Sequence, residues 1–156
     1  MKEKGANNQC SERKIQLFIF QSNLKSIEAL EVLLKKMKRE LCLSHHTYCS
    51  IWVSVNEAIS NAIIHGNKFD QNKKVRLYIQ FKEKDWVCFT IKDEGSGFDF
   101  QNVPVPNQID YNAKAYGRGI FFMKRLADTT KFSDKGATVD LYFKINSASS
   151  LLDIKK

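Results

Sequence analysis

Two rhythms run through the apolar positions of this chain, one of period two and one close to 3.6. Ile15, Leu17 and Ile19 alternate with Gln16 and Phe18, the pattern of a short strand. Leu24, Ile27, Leu30, Leu34, Met37 and Leu41 then fall on one stripe, which predicts an amphipathic helix with Ser22 or Asn23 as its cap. Ser44 is placed to cap a second helix with Ile51, Val55, Ile59 and Ala62 on its apolar side, and Gly66 is expected to end it as the residue past the cap.

The period of two returns at Val75, Leu77, Ile79 and Phe81. The turn "KEKD" predicts an antiparallel neighbour from Trp86 to Asp93. A stretch from Gln101 to Tyr116 has no clear periodicity and holds both prolines, Pro104 and Pro106; its length is that of a functional lid or a disordered segment. "GRGIFFMKRLAD" reads as a helix opening on Gly117 and Gly119, with Phe121 and Phe122 expected in its core packing. "GATVDLYFKI" reads as a last strand with Val139, Leu141, Phe143 and Ile145 on one face. Together these elements predict an α+β fold: a two-layer sandwich of a mostly antiparallel mixed sheet with helices on one face. The expected layout is one domain over residues 14–146, with flexible tails at 1–13 and 147–156.

Composition narrows the function classes. The apolar runs are only a few residues long and "MKEKGANNQCSERK" has no apolar core, so neither a membrane span nor a signal peptide is expected. Cys10, Cys42, Cys49 and Cys88 form no zinc-ribbon spacing, which fits free thiols in a reducing cytoplasm. Cys42, His45, His46 and Cys49 straddle a helix start, an arrangement poorly suited to a metal cluster. The net charge of +8 is spread over patches such as Lys35 to Arg39 and Lys73 to Arg76, without interleaved aromatics. A phosphate-bearing ligand or an acidic protein partner explains the sign as well as nucleic acid does, and no direct nucleic-acid binding is expected.

The candidate chemistry lies in three segments. In "NEAISNAIIHG", Glu57, Asn61 and His65 follow one another at a spacing of four, one turn apart on one helical face. A carboxylate and a carboxamide are costly to bury unpartnered. They either hydrogen-bond neighbouring backbone or serve a ligand. Asn61 offers a neutral oxygen suited to Mg²⁺, and Glu57 can take a proton from a nucleophile. In "DEGSGFDF", Asp93 continues the core-facing row of Val87, Phe89 and Ile91, followed by Gly95 and Gly97. Its plain alternative is a tight turn with an exposed aspartate. In "YGRGIFFMKRLAD", Gly117 and Gly119 leave the amides of a helix start open to an anion. Neither a P-loop nor a Rossmann pattern is present, and four of the seven glycines lie in these two pairs.

In this order and spacing, the three segments resemble the N-box and the first and second glycine boxes of the GHKL (Bergerat-fold) ATPases. More narrowly, the chain is similar to the anti-sigma-factor serine/threonine protein kinases, over about Lys14 to Asn146. With no phosphoacceptor helices upstream, a stand-alone regulator is expected rather than a sensor kinase fragment. The resemblance implies ATP and Mg²⁺ as ligands, Glu57 as general base and Asn61 as magnesium ligand. It also implies Asp93 on the adenine amino group, Gly95 and Gly97 at the pocket floor, and Gly117, Arg118 and Gly119 on the phosphates. The implied protein is a cytoplasmic homodimer that sequesters a sigma factor and phosphorylates a serine of a STAS-domain anti-sigma-factor antagonist. The alternative within the same fold is a non-catalytic, ATP-dependent binding regulator. One departure stands out: Ala137 follows Gly136 where the family often has Thr. By parity Ala137 faces inward and Thr138 outward, so one hydroxyl near the adenine is absent.

Overall fold

The computed structural model describes residues 15–82, 85–101 and 117–145. The expected tails and most of the expected lid lie outside these residues. Strand β1 (Ile15–Gln21) leads into helix α1 (Lys25–Glu40) and helix α2 (His45–Asn61), which runs on through a π-helical turn at Ala62–Gly66. The hairpin of β2 (Lys74–Lys82) and β3 (Trp86–Lys92) follows. The chain then forms α3 (Arg118–Leu126), β4 (Thr129–Ser133), a 3₁₀ turn at Asp134–Gly136 and β5 (Thr138–Lys144). The sheet order is β1-β2-β3-β5-β4, and all four pairings are antiparallel. The expected α+β sandwich is therefore present, without any parallel pairing among the described strands.

Alternation along the strands sets the two layers. Val75, Leu77 and Ile79 of β2, Val87, Phe89 and Ile91 of β3, and Val139, Leu141 and Phe143 of β5 are buried on one face. They meet Leu30 and Leu34 of α1 and Ile51, Val55 and Ile59 of α2 in a single core. Phe89 and Phe143 pack edge to face, 5.9 Å between centroids. On β1 the inward residues are Phe18 and Phe20. Ile15, Leu17 and Ile19 lie on the opposite face, 57%, 49% and 60% exposed. Because β1 is an edge strand, that apolar row sits at the rim of the uncovered face of the sheet.

Local chemistry explains where the expected boundaries move. Ser44 caps α2 as expected, accepting the Thr47 N–H at 3.1 Å. Neither Ser22 nor Asn23 caps α1; the cap position is Leu24, without a side-chain bond. Ser22 is instead buried and donates to the Lys73 carbonyl at 2.8 Å, a tertiary use of its hydroxyl. Gly66 does not act as a left-handed helix terminator, because its φ is not positive. The helix widens there into the π turn, closed by Asn67 N–H to the Ala62 carbonyl at 2.7 Å. Phe121 and Phe122 are 40% and 41% exposed rather than in the core, since α3 buries Gly119, Ile120 and Met123 on its inner side. Strand β4 is an addition to the sequence reading. Its segment, TTKFS, carries one large apolar residue, too few to register as an alternating strand.

Candidate functional site

Helix α2 crosses the sheet near α3, and the groove between them and the ends of β3 and β5 opens into a cavity of about 690 Å³. Glu57, Asn61, Asp93, Gly97, Gly117, Arg118 and Gly119 all line it. Segments more than fifty residues apart in sequence are thus brought onto one wall. Gly95 lies behind Asp93 rather than on the wall, and its N–H donates to Asp93 Oδ1 at 2.8 Å. His65 also lines the cavity, from the π turn. Cys42, His45, His46 and Cys49 stand apart from it; the described contact among them is Cys49 Sγ to His45 Nε2 at 3.5 Å. No group of three or more metal-ligating His, Cys, Asp or Glu residues occurs among the described residues.

One end of the cavity is built on the contact between α2 and α3. Gly117 takes a left-handed conformation, φ 102°, which turns the chain into α3; an L side chain there would be strained. Gly119, in the first turn, lies against both polar residues of α2. A Cβ at Gly119 would stand 2.6 Å from Glu57 Oε2 and 3.0 Å from Asn61 Nδ2. The absence of a side chain therefore lets a carboxylate, a carboxamide and the open amides of a helix start share one spot. Arg118 is exposed beside them. This combination suits a polyanion with a hard cation: the α3 amides and Arg118 attract negative charge, while Asn61 presents one neutral oxygen. The donor set fits Mg²⁺ held mainly by water and phosphate, and Asn61 is the residue that would hold it.

The other end is built on β3 and β5. Asp93 follows the buried row of β3, and its N–H donates to the Ala137 carbonyl at 3.0 Å. Burial pushes its carboxyl above the ordinary aspartate range, opposed by the Gly95 N–H bond and the charge of Lys73. The Gly95 N–H bond and Lys73 favour the ionised, accepting form against an apolar surround of Ile91, Ala137 and Val139. Ala137 does face the cavity, as parity requires, while the Thr138 hydroxyl donates to Asp134 Oδ2 at 2.8 Å on the far side. Gly97, φ 80°, presses on the turn between β4 and β5; a Cβ there would lie 2.1 Å from the Lys135 carbonyl oxygen. Phe98 and Phe132 also line the cavity, packed edge to face at 6.0 Å. Neither was singled out from the sequence. Only the paired Phe98 and Phe100 after the glycines hinted at an aromatic rim, and Phe132 arrives through the unforeseen β4.

A family model, "Histidine kinase-like ATPase domain", matches residues 20–143. The chain belongs to the GHKL ATPases, in their anti-sigma-factor kinase group. Within that group it is similar to the "Anti-sigma F factor" of two Clostridium perfringens strains. The identity to each is 30% over 104 residues, covering 62% of this chain and 72% of the relative. The fold is shared with a crystal structure of the RsbU and RsbW domains of a Mycobacterium tuberculosis protein. That match has a TM-score of 0.61 and 13% identity, covering 85% of this chain and 32% of the other. The GHKL chain thus spans about a third of that longer protein. No described helix is long and apolar enough to cross a membrane.

Proposed function

We propose that this GHKL protein is a cytoplasmic ATP-dependent serine kinase that also sequesters a sigma factor. Its phosphoryl acceptor would be a serine of a STAS-domain antagonist. The observation that carries this reading is the convergence of Glu57 and Asn61 on Gly119, at the glycine-opened start of α3. Membership of the anti-sigma-factor kinase group and the name of the Clostridium perfringens relatives support the choice of partners.

In the proposed mechanism Asp93 accepts a hydrogen bond from the adenine amino group and so orients the nucleotide along the cavity. The amides of α3 and Arg118 hold the phosphates, whose developing charge they meet without reorganising. Mg²⁺ bound through Asn61 would neutralise part of the phosphate charge. Glu57 takes the proton from the attacking serine hydroxyl as its oxygen bonds to the γ-phosphorus and the bond to the ADP oxygen breaks. A binding module that only holds ATP has no use for a carboxylate at that spot, which favours the kinase reading over the non-catalytic one. Homodimerisation is supported by the exposed Ile15, Leu17 and Ile19 row on edge strand β1, an apolar patch that a second copy would cover.

The test is direct. The protein is incubated with γ-labelled ATP, Mg²⁺ and the STAS-domain protein encoded nearest to it, and label on the STAS serine is measured. Label there is the expected result. Tight ATP binding with no transfer would favour the binding-module reading instead.

A further inference from the structure

The π turn at the end of α2 places Gly66 and Asn67 against the segment that carries Asp93. A Cβ at Gly66 would lie 2.4 Å from Asp93 Cγ and 2.6 Å from each carboxylate oxygen, so the carboxylate rests flat on the Gly66 backbone. The fit continues at Gly95, where a Cβ would fall 2.3 Å from the Gly66 carbonyl oxygen. These are contacts with no slack: real Cβ atoms essentially never come so close. On the neighbouring residue, Asn67 is 1% exposed and uses both ends of its carboxamide. Nδ2 donates to Ser22 Oγ at 2.8 Å and to the Lys74 carbonyl at 3.0 Å, and Oδ1 accepts the Glu94 N–H at 2.8 Å.

Three elements are tied by one side chain: the exit of β1, the start of β2, and the residue after Asp93. The Asp93 carboxylate is then fixed from two sides. The Gly95 N–H holds Oδ1, and the Gly66 backbone sets the plane of the group. Among the described residues Oδ2 has no hydrogen-bond partner, so the held plane leaves one acceptor for a ligand on the cavity wall. An α-helical ending would advance the chain by one fewer residue per turn and bring a different residue to Asp93. The wider turn is what delivers the side-chain-free position.

We propose that Gly66 and Asn67 are positioning residues that set nucleobase specificity, by holding Asp93 in the one orientation that reads an exocyclic amino group. This rests on the reading of Asp93 as the adenine acceptor. The ligand class it selects is a 6-aminopurine nucleotide over a 6-oxopurine one, because a 6-oxo group presents a second acceptor to the carboxylate where the amino group presents a donor.

Calorimetry with ATP and with inosine triphosphate, each with Mg²⁺, tests it on the full chain. The wild-type protein is expected to prefer ATP by about tenfold or more, the scale of one charge-assisted hydrogen bond. Gly66→Ala must turn the carboxylate aside, so ATP affinity is expected to fall by about that factor while inosine triphosphate affinity changes little. A purely structural role would lower both together. Asn67→Asp keeps the volume but repels the Lys74 carbonyl, and it serves if Gly66→Ala does not fold; the same loss of preference is expected. Either folded variant keeping the wild-type preference, or losing both nucleotides equally, overturns the proposal. Asp93→Asn separates the two layers. If it keeps the preference, the reading of Asp93 itself fails. If it abolishes the preference while Gly66→Ala does not, only the positioning role is overturned.

Discussion

Replacing Gly119 by alanine sets two effects of opposite sign against each other. Alanine is a better helix former than glycine by roughly 1 kcal/mol, and Gly119 lies in the first turn of α3, so the backbone gains stability. The new methyl, however, stands 2.6 Å from Glu57 Oε2. It meets the far end of a flexible side chain rather than backbone, so the conflict is relieved by swinging the carboxylate away. Reaching ordinary contact requires a shift of about 0.8 Å, and the Asn61 carboxamide at 3.0 Å must give by less. A misplacement of about 1 Å at a reacting centre costs on the order of 10² in rate. Gly119→Ala should therefore keep its melting temperature within a few degrees while phosphoryl transfer falls by about two orders of magnitude. Thermal unfolding and single-turnover transfer from labelled ATP measure the two sides. A folded Gly119→Ala protein that transfers at the wild-type rate would refute the idea that Glu57 works from its seat against Gly119.

Other perturbations separate the remaining parts. Asp93→Asn should lose about 10- to 150-fold in ATP affinity, the range of a charge-assisted hydrogen bond, as read by calorimetry. Its stability should move the other way. The raised Asp93 pKa means the fold holds that proton more tightly than the unfolded chain does. Asp93 therefore stabilises most at low pH, and stability declines as pH rises from the ordinary carboxylate value through the raised one. The Asn variant should thus melt no lower than wild type at neutral pH, and a marked fall in melting temperature would contradict this. The same shift predicts that ATP affinity weakens on acidification at a higher pH than an ordinary aspartate would allow, and a flat profile down to pH 4 would count against Asp93 as the acceptor. Asn61→Ala should weaken ATP·Mg²⁺ binding and transfer together, whereas equal ATP affinity with and without Mg²⁺ in the wild type would remove its assigned role. Leu17→Glu, on the exposed row of β1, should leave the monomer's stability within about 0.5 kcal/mol. It should lower the mass seen by light scattering, and a monomeric wild-type protein would exclude the β1 dimer.

The parts of this fold that were legible in the sequence are those where one periodicity rules over a full element. The row of β2, the row of β3 ending in Asp93 and the middle of the α1 stripe, Leu30, Leu34 and Met37, bury the side that alternation or helical spacing assigns. Leu24, expected to start that stripe, instead sits at the cap position and is 57% exposed. Ser44 was legible because its cap is local. Ser22 and Asn67 were not, since their hydrogen bonds join residues 45 and 51 apart in sequence, and a hydroxyl before a helix looks the same whether it caps or not. Gly66 looked like a helix terminator for the same reason. Its real constraint, a carboxylate pressed against its Cα, comes from a strand nearly thirty residues on. β4 escaped because it is a short edge strand held by pairing to β5 rather than by its own apolar residues. The row of Ile15, Leu17 and Ile19 announced a strand correctly but not its orientation, because Phe18 and Phe20 compete for the core from the other side. At the site, the residue types and spacing of Glu57, Asn61 and Asp93 were legible, while the aromatic rim of Phe98 and Phe132 depended on tertiary packing.

The central claim is that Glu57 serves as the base for phosphoryl transfer, and Glu57→Gln tests it most directly. The substitution keeps shape and most hydrogen bonding but cannot take a proton. Single-turnover transfer to the proposed STAS-domain acceptor, measured beside ATP affinity, is expected to fall by about 10²–10⁴-fold with nucleotide binding close to wild type. Transfer at the wild-type rate by Glu57→Gln would contradict the account.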